Sequence, residues 1–203
     1  MKNVFLNFKK TTYDTINLAT LGPKGTSSER SAVHFGHLLV SSKITSDFKI
    51  HLCDTYEHAN RLLLNQTCEA LVVANAYHGI SEFYMDSSLN LSAAFLKNTP
   101  NYGIATNVGN PKRVLRIATH PAPTVLINEL LPSGYSIENI EFKSSTSSAA
   151  ISVVNGEVDA ALTTEVAAKL HNLRFISNIR PIQMLWSVFT MSDNSSIKSY
   201  QSE

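Results

Sequence analysis

Leu21-Gly22-Pro23-Lys24-Gly25-Thr26-Ser27-Ser28-Glu29 reads as the end of a strand, a glycine turn and the start of a hydroxyl-rich helix. Gly22 and Gly25 allow a tight turn and close backbone approach. Thr26 and Glu29 have capping-box spacing ahead of a helix whose apolar stripe is Ala32, Val33, Phe35 and Leu39. Unpaired N–H groups and the dipole at such an end favour a carboxylate or phosphate. The stretch lacks the Lys-Ser/Thr pair of a P-loop and the three glycines of a dinucleotide fingerprint, which turns the reading away from nucleotides.

Working outward, strands and helices alternate. Leu18–Leu21 precedes the helix from Thr26. Ile50–Cys53 precedes a helix capped by Asp54 with Glu57 three residues on, and Leu71–Ala74 follows as a buried strand. This βαβαβ order predicts a mostly parallel sheet. Strand-like Leu89–Leu96 and Tyr102–Thr106 flank Asn98-Thr99-Pro100-Asn101. The alternation then resumes with Leu115–Thr119, a helix begun by Pro121 and Pro123 and running to Leu131, strand Ile137–Phe142, a helix from Thr146, strand Val158–Leu162 and a helix from Thr164. Arg174–Ile176 and Trp186–Met191 come last, so the chain is expected to return to its first lobe.

The expected architecture is therefore α/β: two similar lobes with a ligand cleft between them. An N-terminal extension covers 1–17. Lobe 1 is about 18–101 plus 178–191, lobe 2 about 102–177, and a flexible tail covers 192–203. Clefts of this kind bind small ligands where strand C-ends and helix N-ends converge. Ser144-Ser145-Thr146-Ser147-Ser148 offers the second lobe its own hydroxyl-rich helix start. Either start alone is more simply a good cap; together with the glycine turns they suit a small dicarboxylate.

Composition narrows the partners. The chain has 203 residues, 43% of them apolar and 16% charged, as in ordinary soluble domains. A net charge of +1 supplies no field to gather nucleic acid or anionic lipid. No apolar run reaches the roughly 20 residues of a membrane helix, and residues 1–17 lack a signal-peptide core, so a cytoplasmic protein is expected. Cys53 and Cys68 have no disulfide or metal-ligand spacing and read as buried thiols.

Several motifs together resemble the prephenate dehydratase catalytic domain, in order across about residues 18–190. They are Leu-Gly-Pro-x-Gly-Thr at 21–26, His120-Pro121, Ser145-Thr146 with Ala149-Ala150, and Ala160-Ala161 through Glu165, Ala167 and Leu173. The resemblance implies a two-lobed fold like that of type II periplasmic binding proteins, with prephenate in the cleft. The chain departs from that family where dehydratases carry Thr-Arg-Phe, with a threonine implicated in catalysis; here Trp186-Ser187-Val188-Phe189 stands. Ala74-Asn75-Ala76-Tyr77-His78-Gly79 replaces Glu-Asn-Ser, and Ser27 replaces an aromatic. These replacements, with Phe-Tyr-Met at 83–85, look like the non-aromatising prephenate decarboxylases that serve bacilysin's anticapsin and related units in secondary metabolism. The chain ends where regulated dehydratases continue into an ACT domain, so phenylalanine feedback through one is not expected.

The resemblance implies roles. Thr26, Ser27 and Ser28 would hold one carboxylate of prephenate, and Ser145, Thr146 and Ser147 the other. Ser187 would partner the ring hydroxyl or the departing carboxylate. Tyr77 and His78 are candidate ring-proton donors, with Tyr84, Tyr102 and His120 behind them. Tyrosines at strand ends are more often amphipathic walls, and His120 fits a strand-to-helix turn. Trp186 and Phe189 read as core, and Asp54 and Glu165 as helix-start residues. The scheme requires no metal and no organic cofactor, and leaves room for a homodimer. Two other readings stay open: a dehydratase whose serine stands in for threonine, and a non-catalytic small-carboxylate-binding module.

Overall fold

The computed structural model describes residues 4–8, 14–107 and 112–192; the expected tail falls almost wholly outside them. Strands are β1 (Val4–Leu6), β2 (Thr15–Leu21), β3 (Asp47–Cys53), β4 (Ala70–Ala74), β5 (Leu89–Asn98), β6 (Tyr102–Thr106), β7 (Val114–Thr119), β8 (Ser136–Phe142), β9 (Ala160–Thr164), β10 (Arg174–Phe175) and β11 (Gln183–Met191). Helices are α1 (Ser27–Ser41), α2 (Tyr56–Leu64), α3 (Ile80–Met85), α4 (Leu126–Leu130), α5 (Thr146–Val154) and α6 (Glu165–Leu170). The chain divides into two compact units, one of residues 1–22, 28–97 and 184–203, the other of 23–27 and 98–183.

The first unit holds a six-stranded sheet in the order β1-β5-β11-β4-β2-β3. β2 pairs in parallel with β3 and β4, as the alternation of strand and helix requires, because a crossover helix returns the chain in the same direction. β11 joins β4 antiparallel, and β1 joins β5 antiparallel, so the sheet is mixed rather than mostly parallel as expected, because strands from outside the βαβαβ run complete it. The strand at Val4–Leu6 is not among the expected elements; its three residues carry too little pattern to be read alone.

Side chains alternate across this sheet with period two. Leu18, Ala70, Val72, Trp186 and Val188 face α1 residues Ala32, Phe35 and Leu39. Ala19, Leu71, Val73 and Phe189 face Tyr56, Ala59 and Leu63 of α2 and Phe83 of α3. Trp186 and Phe189 are core residues, as expected. Cys53 and Cys68 are free and buried in the second of these layers. Burial pushes both thiols up, Cys68 to about 12, which disfavours the thiolate form.

The second unit repeats the plan in a five-stranded sheet, β10-β6-β9-β7-β8. β7 is flanked in parallel by β8 and β9, and β6 closes antiparallel on β9. A shared device marks the repetition. Thr20 near the end of β2 donates its hydroxyl to the Val72 carbonyl on β4 at 2.8 Å, and Thr119 at the end of β7 donates to Leu162 on β9 at 3.3 Å.

Three expectations are corrected. Thr55, not Asp54, caps α2: its φ of −139° places the hydroxyl to accept from the His58 N–H at 3.0 Å. Residues 121–125 form turns rather than the start of a long helix, because the Thr124 hydroxyl donates to the Pro121 carbonyl at 2.6 Å and short-range bonds close the segment; α4 spans five residues. The strand expected at Val158–Leu162 is Ala160–Thr164, and Thr164 caps α6 by accepting from Ala167 N–H.

Candidate active site

In an open α/β sheet the useful surface lies beyond the carboxyl ends of the parallel strands, where chain direction switches sides. In the first unit these ends carry Gly22 after β2, Asp54 after β3 and Asn75 after β4. Gly22 closes on the neighbouring strand through its N–H to Cys53 O at 2.7 Å, and a Cβ there would meet Leu52 and Cys53 at 3.3 to 3.4 Å. Gly25 has φ +87°, a conformation other residues resist. Gly25 is favoured by its backbone conformation and Gly22 by the close approach of β3.

Tyr56 sits at this edge. Its phenol bonds the Ser28 hydroxyl at 3.0 Å and accepts from Ala74 N–H at 3.1 Å, joining α1 to the end of β4. Burial pushes this phenol up, so it is a fixed structural tie. The Ser28 side chain is accordingly occupied. Ser27 Oγ differs. It is enclosed and makes no hydrogen bond of acceptable geometry, though it is close enough to the Tyr102 phenol to offset part of the rise that burial imposes there.

Next along the edge, the Tyr77 phenol donates to the Glu57 carboxylate on α2. Burial first, and Glu57 second, push the Tyr77 phenol well above the ordinary range; the same bond holds Glu57 below its own. The Tyr77 ring lies 4.8 Å from Tyr56, 4.7 Å from exposed His78 and 6.1 Å from Phe83. Gly79 makes room for it, since a Cβ there would fall 2.8 Å from the Tyr77 ring and oxygen.

β11 contributes the last group. Trp186 pairs with Ala74 and Ser187 with Val73, and period two turns Ser187 to the α3 side of the sheet. Ser187 is 0% exposed and donates to Asn75 Oδ1 at 2.8 Å. Its oxygen lies 2.6 Å from the Tyr84 phenol oxygen, and Asn75 Nδ2 donates to Tyr84 at 3.3 Å. Tyr84 packs edge-on against Phe189 at 5.1 Å and remains 42% exposed. Ser187 therefore communicates with the surface through Tyr84.

In the second unit Ser145 caps α5 by accepting from Ser148 N–H at 3.0 Å. Thr146 offers its carbonyl to the Thr163 hydroxyl at 2.7 Å, and Ser145, Thr146 and Ser147 are all buried. Tyr102 is buried on β6, at the bridge to Arg180. His120 Nδ1 accepts from Ala122 N–H at 3.2 Å, which fits its expected place in a turn. Glu165, the first residue of α6, accepts from Asn101 Nδ2 at 2.9 Å. Among the described residues no group of three or more His, Cys, Asp and Glu is placed to hold a metal ion.

The structure thus brings Ser187 to Tyr84 and Tyr77 to His78. Sequence reasoning passed over Asn75, Glu57 and Tyr56 as site groups. Their signal was position: Asn75 directly follows a buried strand, and Tyr56 and Glu57 open the helix after another.

The chain is similar to several known proteins. The chain is 38% identical over 182 residues to a prephenate decarboxylase of Planktothrix agardhii, covering 86% of this chain and 88% of that one. It is 36% identical over 186 residues to a prephenate decarboxylase of Bacillus subtilis, covering 88% of each. No protein-family model matches. Among solved structures, prephenate dehydratase of Arthrobacter aurescens in complex with L-Phe superposes with a TM-score of 0.57 at 14% identity, over 88% of this chain and 61% of that one. A YaeC-family lipoprotein of Enterococcus faecalis gives 0.55 at 11% identity, over 87% of this chain and 84% of that one. These two share the fold.

Proposed function

The chain belongs to the prephenate decarboxylase family and is a carboxy-lyase acting on prephenate; we propose that it leaves the ring non-aromatic, giving a dihydro-4-hydroxyphenylpyruvate. Breaking the bond between the quaternary ring carbon and its carboxylate sends an electron pair into the diene. Prephenate plus one proton then has two fates. If the proton reaches a ring carbon, carbon dioxide leaves and the hydroxyl stays. If the proton reaches the hydroxyl, water also leaves and phenylpyruvate forms. Hydroxide is a poor leaving group, so the second route needs an acid beside it.

The observation that carries this reading is Ser187. It stands where the dehydratases have a catalytic threonine, yet it is wholly buried and its proton goes to a neighbouring side chain. The carboxylates are assigned to backbone N–H groups at two helix starts, Thr26, Ser27 and Ser28 for one and Ser145, Thr146 and Ser147 for the other. The unpartnered Ser27 hydroxyl supports that assignment. Tyr77 and His78 are assigned as ring-proton donors, with Tyr84, Tyr102 and His120 flanking. Positioned N–H groups hold the pyruvyl arm and so orient the ring.

We also assign the enzyme to the cytoplasm and to biosynthesis of an anticapsin-like antibiotic unit, without nucleic-acid or membrane partners. For the partners, the +1 charge supplies no field to gather nucleic acid, and no helix among the described residues is long and apolar enough to cross a membrane; the biosynthetic assignment rests on the motif resemblance. A homodimer is the assembly to test by light scattering. The deciding experiment incubates purified protein with prephenate and reads the products by NMR. A hydroxycyclohexadienyl pyruvate is expected; phenylpyruvate as the sole product would overturn the reading.

A further inference from the structure

Asn75, Tyr84 and Ser187 form a closed ring of three hydrogen bonds at 2.8, 2.6 and 3.3 Å. An amide oxygen only accepts, an amide nitrogen only donates, and each hydroxyl has one proton to give. With the amide as placed, Tyr84 donates to Ser187, Ser187 donates to Asn75 Oδ1, and Asn75 Nδ2 donates back to Tyr84. With the amide turned over, the ring runs the other way: nitrogen to Ser187, Ser187 to Tyr84, Tyr84 to the amide oxygen. Either circulation consumes both hydroxyl protons internally. The Tyr84 oxygen then has only a lone pair to present outward.

We propose that Asn75 is a positioning residue for product choice: by closing this ring it keeps Tyr84 an acceptor toward the ring hydroxyl of prephenate, so that the hydroxyl is held as a donor and is never protonated. The inference rests on the proposed non-aromatising decarboxylation. Burial supports it, because Ser187 is 0% exposed and its hydroxyl is shut off from bulk solvent as an alternative acceptor. Tyr84 is the one member of the ring with substantial exposure, and Phe189 at 5.1 Å fixes its ring plane. Both fates of prephenate consume one proton. The network withholds one from the oxygen.

Replacing Asn75 by leucine leaves the buried Ser187 proton with Tyr84 as its acceptor, since an unmet buried donor is costly. The Tyr84 proton is thereby turned outward. Asn75→Leu is expected to raise phenylpyruvate from a trace to about a tenth or more of the product, because a relocated acid changes a competing rate by about 10². Asn75→Asp retains an acceptor for both hydroxyls and is expected to keep the wild-type product. Adding Tyr84→Phe to Asn75→Leu is expected to abolish the phenylpyruvate. A merely structural role for Asn75 would lower yield without moving the product ratio.

Wild-type protein that releases no carbon dioxide from prephenate overturns the functional reading and this inference with it. Wild-type protein that decarboxylates, beside a folded Asn75→Leu with an unchanged product ratio, overturns this inference alone. Should Asn75→Leu fail to fold by circular dichroism, the exposed Tyr84 supplies the second arm. A prephenate analogue lacking the ring hydroxyl is expected to bind wild type about fivefold more weakly than prephenate, and Tyr84→Phe with no such difference. A difference of equal size in both proteins overturns the inference.

Discussion

The Tyr77 phenol donates its proton to the carboxylate of Glu57, twenty residues earlier and on α2. That bond fixes Tyr77 against the edge of the sheet and commits its proton to a carboxylate. Glu57→Gln removes the charge that helps hold the phenol up. The Tyr77 titration, followed by absorbance difference between the variant and wild type, is therefore expected to move to lower pH. An unmoved titration would show that Glu57 does not restrain the phenol in solution.

With Tyr77 so committed, His78 is the freer of the two assigned donors. His78→Gln is expected to lower kcat by about 10² or more, the usual contribution of a positioned acid, and Tyr77→Phe by less than about tenfold. Carbon dioxide release under saturating prephenate measures both. The reverse order would move the proton-donor role to Tyr77.

Gly36 on α1 faces the Phe48 ring of β3 so closely that an added Cβ would collide with it. Gly36→Ala is expected to cost about 1–3 kcal/mol of stability, the usual penalty for overpacking a filled core. Urea unfolding tests this, and kcat of the folded fraction should not change, since no site group touches this contact. An alanine variant as stable as wild type would mean that α1 and β3 separate freely.

Acid should weaken the second unit. Arg116 bonds Asp159 through its backbone N–H at 2.9 Å and its guanidinium at 3.1 Å, holding that carboxyl below its ordinary 3.8. Asn155, Ser152 and Lys143 hold Glu157 down to about 2. Both groups have folded values below their unfolded ones, so their contribution is complete above about pH 4.5 and is lost as pH falls toward 2. Thermal melts across that window should show Tm falling with pH, with a shallower fall in Asp159→Asn. Equal slopes in the two proteins would exclude Asp159 as a source of the acid response.

Local features were read well because their causes are short-range. The helix start at Thr146, the helix start beside Thr164, the glycine turn at Gly25 and the buried thiols each follow from a few neighbouring residues. The misread features turned on competition between neighbours. Thr55 and Asp54 are both good caps, and backbone geometry chose the first. The prolines before α4 suggest a helix start, but the Thr124 hydroxyl captures a carbonyl that a helix would need.

By itself the sequence determined the βαβαβ alternation, the two hydroxyl-rich helix starts and the resemblance to the prephenate family, since periodicity, capping and motif order are written in adjacent residues. Only the tertiary structure decided that Ser187 lies in hydrogen-bond reach of Asn75, 112 residues away, and of Tyr84. That outcome depends on β11 entering the sheet antiparallel beside β4, in the register that sets Ser187 opposite Val73. A one-residue slip would turn Ser187 to the opposite face. Strand partner and register are settled by burial summed over the whole sheet, which no local pattern encodes.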